Sequence, residues 1–309
     1  MSRRIAITPR SISETGHPAL SLLTGQGYEL VFPAPGRMPT EEDLLRDLPQ
    51  CVGYLAGVEP ITRRVLDASP HLKVISRNGS GTDAIDLVAA HEHGVAIERA
   101  VGANARGVAE LALALILDAL RHVTWSNAHM KASQWKRRMG RECQGRTLGV
   151  VGCGAIGRTL AGFARGLDMN VIGYDPLLNG APGDPPIPLV TFETLVESAD
   201  VISLHCPPSE QPLIDAEAIA HVREGVALVN TARSELIDPE AVLAGLESGR
   251  ISVYATDVYV SEPPQLTPLL AHPNVILTPH AGGLTDESVE RATMIAVHNL
   301  LARLQAECG

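Results

Sequence analysis

The chain has 309 residues, long for one domain and suited to two. Hydrophobic residues make up 45% and aromatics only 3%, so large cores built from Ala, Val, Leu and Ile are expected. The formal charge of −10 argues against a nucleic-acid backbone or an anionic membrane as the main partner, since both bind clustered cations, but it leaves room for a small anion held by one or two local arginines.

Met1-Ser2-Arg3-Arg4 opens with paired arginines, but only Ile5-Ala6-Ile7 follows before Thr8-Pro9, too short an apolar run for an export signal. A first set of short apolar runs reads as strands: Ile5–Thr8, Glu29–Phe32, Val52–Ala56, Lys73–Ser76 and Val95–Glu98. One long helical stretch is predicted over Ala105 to Lys131. Its most apolar part, Val108–Leu120, contains Glu110 and Asp118 and is too short to span a bilayer. A second set of strands is predicted at Thr147–Val151, Asn170–Tyr174, Val201–His205, Ala227–Asn230, Ser252–Thr256 and Val275–Thr278. Asn179–Pro188, rich in Pro and Gly, reads as a surface loop, and the chain closes with a helix around Asp286–Ala306 expected to pack on the first set. Strands alternating with helical patterns predict an α/β protein of two doubly wound parallel-sheet domains.

The five cysteines, Cys51, Cys143, Cys153, Cys206 and Cys308, are odd in number and lack C-x-x-C spacing. Reduced thiols, a cytoplasmic location and no metal site are therefore expected.

The strands of the second set end in Gly152, Asp175, His205, the Asn230-Thr231-Ala232-Arg233 segment, Asp257 and His280. Polar groups after apolar strands lie on the carboxyl edge of a parallel sheet, where open α/β sheets bind ligands. "GVVGCGAIG" places Gly152, Gly154 and Gly157 in G-x-G-x-x-G spacing, after an apolar strand and before a helix read as Arg158–Arg165. Such a turn lets a pyrophosphate approach the backbone at a helix N-terminus. Asp175 lies at the distance where a carboxylate accepts hydrogen bonds from the ribose of NAD and repels the 2′-phosphate of NADP. No Arg or Lys occurs in Pro176-Leu177-Leu178, so NAD is the expected cofactor.

Hydride chemistry on a small acid needs an arginine for a carboxylate, a histidine that titrates near neutrality, and a carboxylate to fix its tautomer. The edge supplies Arg233 in "NTARSELID", Glu262 in "DVYVSEPP" and His280 in "TPHAGG". Singly these read as a surface ion pair, a solvated loop and a turn residue. Together, beside a dinucleotide turn, they read as a catalytic set.

Together with "LKVISRNGSGTDAIDL", "ANARGVAELALAL", "GRTLGVVGCGAIG" and "LHCPPS", these segments resemble the D-isomer-specific 2-hydroxyacid dehydrogenases, in particular their phosphoglycerate-dehydrogenase-like branch. The resemblance covers nearly the whole chain. It implies a Rossmann NAD-binding domain over 101–283, inserted into a flavodoxin-like substrate domain of 1–100 plus 284–309. In this reading Arg233 binds the substrate carboxylate, His280 is the acid/base, and Glu262 holds its other nitrogen and favours the protonated ring. Asn78, Gly79, Ser80 and Asn104 are implied substrate contacts. Gly152, Gly154, Ala155, Ile156, Gly157, Asp175, His205, Thr231, Ala232, Asp257 and Gly282 are implied cofactor contacts. A homodimer through the helix around Val108–Leu120 is implied as well.

Several positions depart from the family pattern. Ser234-Glu235 follows the arginine where relatives carry Gly first, and Ser80 sits in the substrate loop. Some phosphoglycerate dehydrogenases carry an arginine for the phosphate after the third strand. Leu55-Ala56-Gly57-Val58-Glu59 has none there, which argues against a phosphate at that spot. Arg77 and Arg106 are alternative candidates for a second anionic group, or else form salt bridges. No regulatory domain is expected after the last helix. Two alternatives to a 2-hydroxyacid dehydrogenase stay open: a non-catalytic NAD(H)-sensing protein of the same fold, and a dehydrogenase for another anion.

Overall fold

The computed structural model describes residues 3–178, 180 and 186–306. The chain divides into two compact units, residues 1–104 with 284–309, and residues 105–283.

In the first unit, strands β1 (Arg4–Ile7), β2 (Glu29–Val31), β3 (Cys51–Ala56), β4 (Val74–Arg77) and β5 (Ala96–Arg99) form a parallel sheet in the order β2-β1-β3-β4-β5. Successive side chains of a strand face opposite ways, so each strand feeds two cores. Ile5, Ile7, Leu55 and Val74 pack with Ala292, Ala296, Val297, Leu300 and Leu304 of the closing helix Asp286–Ala306. These helical positions recur at helical spacing and form one apolar stripe. The Ser76 hydroxyl donates to the Ala296 carbonyl (2.8 Å), fixing that helix on the sheet. Ala6, Tyr54, Ala56 and Ile75 face the other way, onto Leu44, Leu48, Val65, Leu66 and Ala89.

In the second unit, β6 (Thr147–Val151), β7 (Asn170–Tyr174), β8 (Val201–Leu204), β9 (Val226–Asn230), β10 (Ile251–Thr256) and β11 (Val275–Leu277) form a parallel sheet ordered β11-β10-β9-β8-β6-β7. One face packs on helices Ala105–Arg121 and Ala155–Arg165 through Ala109, Ala112, Ile116, Leu160, Ala161 and Ala164. The other packs on Leu195, Val196, Ile219, Val242 and Leu246. Helices on both faces make each unit doubly wound. Thr40, Thr62, Asp86, Thr191, Asp215 and Asp238 each cap a helix by accepting a backbone N–H, which fixes where those helices begin.

The structure corrects two helices. The stretch predicted over Ala105 to Lys131 is broken at His122, which adopts a left-handed φ of 57°, into Ala105–Arg121 and Val123–Lys131. The break is held by Asp118, whose carboxylate accepts the backbone N–H (2.9 Å) and the hydroxyl of Thr124. The helix read as Arg158–Arg165 starts earlier, at Ala155, because Gly157 lies in its first turn against the strand end. The Pro/Gly-rich loop Asn179–Pro188 lies for the most part outside the described residues, as does Cys308. Cys51, Cys143, Cys153 and Cys206 are free thiols. Among the described residues no helix is long and apolar enough to cross a membrane, and no cluster of metal-ligating side chains occurs.

Candidate active site

In the second unit the chain runs from β6 to β7 at one edge, then crosses back to β8 on the far side of β6. A reversal of this kind opens a crevice at the carboxyl ends of the two central strands. Residues 152–157 follow β6 and His205 follows β8. Gly152 has φ of 91°, and a Cβ there would lie 2.6 Å from the His205 carbonyl carbon. A Cβ on Gly157 would lie 2.2 Å from the Gly152 carbonyl oxygen. Only glycine permits this turn. Its outer side, Gly154 and Ala155, is exposed, and a Cβ on Gly154 would meet nothing within 4 Å.

Asp175 follows β7 and accepts the backbone N–H of Cys153 (2.9 Å) and of Leu177 (3.1 Å), which holds its carboxylate against the glycine turn. Arg158, which the sequence did not single out, reaches back to the Cys153 carbonyl (3.1 Å) and adds a positive charge beside the turn. Burial pushes the Cys153 and Cys206 thiols up to about 11, so neither acts as a nucleophile near neutral pH. His205 sits with Nε2 2.8 Å from the Ser203 hydroxyl, and burial pulls its pKa down to about 4, which keeps the ring neutral. Its Nδ1, and the hydroxyl of Thr231 after β9, are buried without a partner. Buried polar atoms are normally paired. An open glycine turn at a helix N-terminus, a carboxylate beside it and two orphaned polar atoms on the same edge fit a dinucleotide.

Arg233, Glu262 and His280 follow β9, β10 and β11, three adjacent strands. The turn that carries Arg233 is folded by Asn230, fully buried at the end of β9. Its Oδ1 accepts the Ala232 N–H (3.0 Å) and its Nδ2 donates to the Arg233 carbonyl (2.8 Å). The Ser234 hydroxyl donates to Glu235 (3.0 Å) within the following turn. Arg233 also donates to the Ala232 carbonyl (2.7 Å).

His280 and Glu262 meet directly. The imidazole Nδ1 is 2.7 Å from one Glu262 oxygen and 2.9 Å from the other, with both side chains about half exposed. A carboxylate only accepts, so Nδ1 carries the proton and donates. His280 adopts a left-handed φ of 52°, a conformation that non-glycine residues take rarely and that clusters at functional sites. Asp257 over-determines that turn. It is 2% exposed and accepts the Thr278 hydroxyl (2.6 Å) and the backbone N–H groups of Ala281 and Gly282 (2.8 Å each). Asp257 and Gly282 therefore face each other inside the turn.

The expected substrate contacts, and Arg77, belong to the first unit. Asn78, Gly79 and Ser80 follow β4 and are partly exposed, with the Asn78 N–H held by the Ala56 carbonyl (2.9 Å). Asn104 is the last residue of that unit's first segment. Arg77, a candidate for a second anion, is buried and donates to the Gly81 carbonyl (2.8 Å). Arg106, the other candidate, is paired with Glu110 (2.8 Å) and lies over the Phe163 ring. Glu59 is 2% exposed and accepts from the Tyr54 hydroxyl (2.5 Å), the Gly57 N–H (2.9 Å) and the Thr8 hydroxyl, so it braces the loop after β3 from inside.

Residues 113–282 match the family model for the D-isomer specific 2-hydroxyacid dehydrogenase NAD binding domain. A D-3-phosphoglycerate dehydrogenase of Methanocaldococcus jannaschii is 38% identical over 87% of this chain and 52% of its own length. A hydroxypyruvate reductase of Thermotoga maritima is 35% identical over 85% of this chain and 88% of its own. Among solved structures, the cofactor(NAD+)-bound 3-phosphoglycerate dehydrogenase of Entamoeba histolytica superposes with a TM-score of 0.82, at 26% identity over 99% of this chain and 97% of that one. The chain belongs to the D-isomer-specific 2-hydroxyacid dehydrogenase family, and its second unit is the NAD-binding domain of that family. It spans about half the length of the phosphoglycerate dehydrogenases it matches first.

Proposed function

We propose that this chain is an NAD-dependent oxidoreductase that interconverts a small 2-oxoacid and the corresponding D-2-hydroxyacid. The observation that carries the reading is the His280–Glu262 pair on the carboxyl edge of the family's NAD-binding domain. With Nδ1 engaged by Glu262, the Nε2 of His280 is the atom that exchanges a proton with substrate. In reduction it protonates the carbonyl oxygen, and in oxidation it removes the hydroxyl proton. Glu262 holds the ring in that tautomer and offsets the positive charge it carries before donating. Arg233 binds the substrate carboxylate, since a planar guanidinium matches two carboxylate oxygens. NADH bound at the glycine turn supplies the hydride. Asp175 supports NAD over NADP, because a carboxylate there repels a 2′-phosphate.

The reading extends to a homodimer in the cytoplasm. The resemblance places the interface on the helix around Val108–Leu120, which buries much of its apolar face within its own unit; the next helix, Val123–Lys131, has no fully buried residue, and Val123, Met130, Trp135 and Met139 are exposed. Apolar area of this kind suits a second copy. Free thiols accord with a reducing compartment.

The test is NADH oxidation, followed by absorbance, against glyoxylate, pyruvate, hydroxypyruvate, phenylpyruvate, 2-oxoglutarate, 3-phosphohydroxypyruvate and sulfopyruvate, with NADPH in parallel. Turnover on one or more with NADH preferred is the expected result. NADH binding without turnover across the panel overturns the 2-hydroxyacid reading in favour of a sensor or of a dehydrogenase for another anion.

A further inference from the structure

We propose that Tyr259 is a positioning residue for the proton-transfer pair. Its hydroxyl clamps the loop that carries Glu262 to the turn that carries His280. The inference rests on the dehydrogenase reading above and names a residue that neither the motifs nor the family match singles out.

The loop between β10 and β11 is secured at both ends. At its start the Asp257 N–H donates to the Asn230 carbonyl (3.0 Å) and the Val258 N–H to the Thr256 hydroxyl (3.3 Å). At its far end the Thr267 hydroxyl accepts the Leu270 N–H (3.3 Å). Between these anchors the loop is in solvent: Val260 is 92% exposed, and Ser261, Glu262 and Pro263 are exposed. Among the described residues, only two side chains of 259–266 make a hydrogen bond. One is Glu262, with His280 itself. The other is Tyr259, whose hydroxyl donates to the Thr278 carbonyl at 2.7 Å.

That carbonyl is the one that also accepts the His280 N–H (3.0 Å). A single oxygen thus ties the backbone of His280 to the side chain of Tyr259, three residues before Glu262. Asp257 fixes the His280 turn from the other side through Thr278, Ala281 and Gly282. Without the Tyr259 clamp, the Glu262 carboxylate would be placed only by its contact with the ring it is meant to orient. Both partners are about half exposed, and an exposed ion pair is a weak restraint on side chains that water can also solvate. The Tyr259 ring is partly buried, so its own position is set by packing.

The test is Tyr259→Phe, which removes one oxygen from a partly buried ring. The readouts are steady-state kinetics on the preferred 2-oxoacid, NADH affinity by fluorescence titration, thermal midpoint, and the NMR signal of the His280 Nδ1 proton. The expected result is a fall in kcat of about fivefold, the factor worth one neutral hydrogen bond. KM and NADH affinity stay within about twofold, the thermal midpoint is little changed, and the Nδ1 proton signal is weakened or lost. An unaltered kcat and proton signal overturn the proposal. A fall in thermal midpoint that moves kcat, KM and NADH affinity together also overturns it, since that marks a structural role only. If the unaltered protein turns over no 2-oxoacid, the dehydrogenase reading fails instead, and the proton signal alone decides whether Tyr259 positions the pair.

Discussion

Replacing Asp257 by Asn changes one atom in a closed set of hydrogen bonds, and the cost can be worked from the structure. The carboxylate is 2% exposed and serves three donors: the Thr278 hydroxyl, the Ala281 N–H and the Gly282 N–H. An amide has one acceptor oxygen. Its best orientation keeps that oxygen on Thr278 and Ala281 and turns its NH2 toward the Gly282 N–H. One charge-assisted bond is lost, one buried N–H is left without a partner, and two donors face each other. Hydrogen bonds to charged groups contribute about 1.5–3 kcal/mol and an orphaned buried donor costs about 1–3 kcal/mol, so a loss near 3 kcal/mol is expected. His280 precedes Ala281 directly, so relaxation of the turn moves the proposed proton donor. A displacement of about 1 Å is enough for a rate loss of about a hundredfold. Urea unfolding and steady-state turnover of Asp257→Asn measure the two effects. A variant within about 0.5 kcal/mol of the parent, the range of an uncommitted surface position, refutes the reasoning.

Three further outcomes follow from the same geometry. His280→Ala should cut kcat by at least about a hundredfold and leave NADH affinity within about twofold, because the role proposed for the ring is in proton transfer rather than in holding the nucleotide; fluorescence titration and turnover separate the two. Gly157→Ala should abolish NADH binding and lower the thermal midpoint, since its methyl group would lie 2.2 Å from the Gly152 carbonyl oxygen. Burial pulls the pKa of His205 down to about 4 from the ordinary 6.5, so below pH 6.5 the unfolded chain binds the proton that the folded one resists. Its contribution to stability is therefore full above pH 6.5 and is lost as pH falls toward 4. Denaturant titrations at stepped pH should show a shallower loss in His205→Asn.

Much of this was legible because parallel strands buried on both faces are continuous apolar runs. Val226–Asn230 is buried at all five positions, and its apolar residues announced the strand. The same strand held a signal that passed unused: Asn230, a polar residue inside a fully buried run, folds the turn under Arg233. His280 and Glu262 could be paired on chemical grounds, since one needs the other. Asp257 could not be assigned its three donors, nor Tyr259 its acceptor, because those partners lie about 20 residues away along the chain and meet only when β10 and β11 align. The sequence left Arg77 open between an anion contact and a salt bridge, because spacing carries no information about burial; the structure buries it. The helix break at His122 had no Gly or Pro to mark it; it depends on Asp118 capping the next turn, an interaction that pattern alone does not distinguish from a solvated acid.

The unit that contributes residues 1–104 is discontinuous, and this orders its assembly in time. Its five strands are made before the second unit, but Ile5, Ile7, Leu55 and Val74, which pack in part with Ile12, Leu20 and Leu23, complete their core only when Ala292, Ala296, Val297 and Leu300 have been made. Residues 105–283 need nothing outside themselves to close their two cores. Residues 105–283 can thus finish folding while one face of the first sheet, only partly covered by its own segment, still waits for the helix Asp286–Ala306. During that interval the apolar surface still awaiting the helix is the part of the nascent chain open to aggregation.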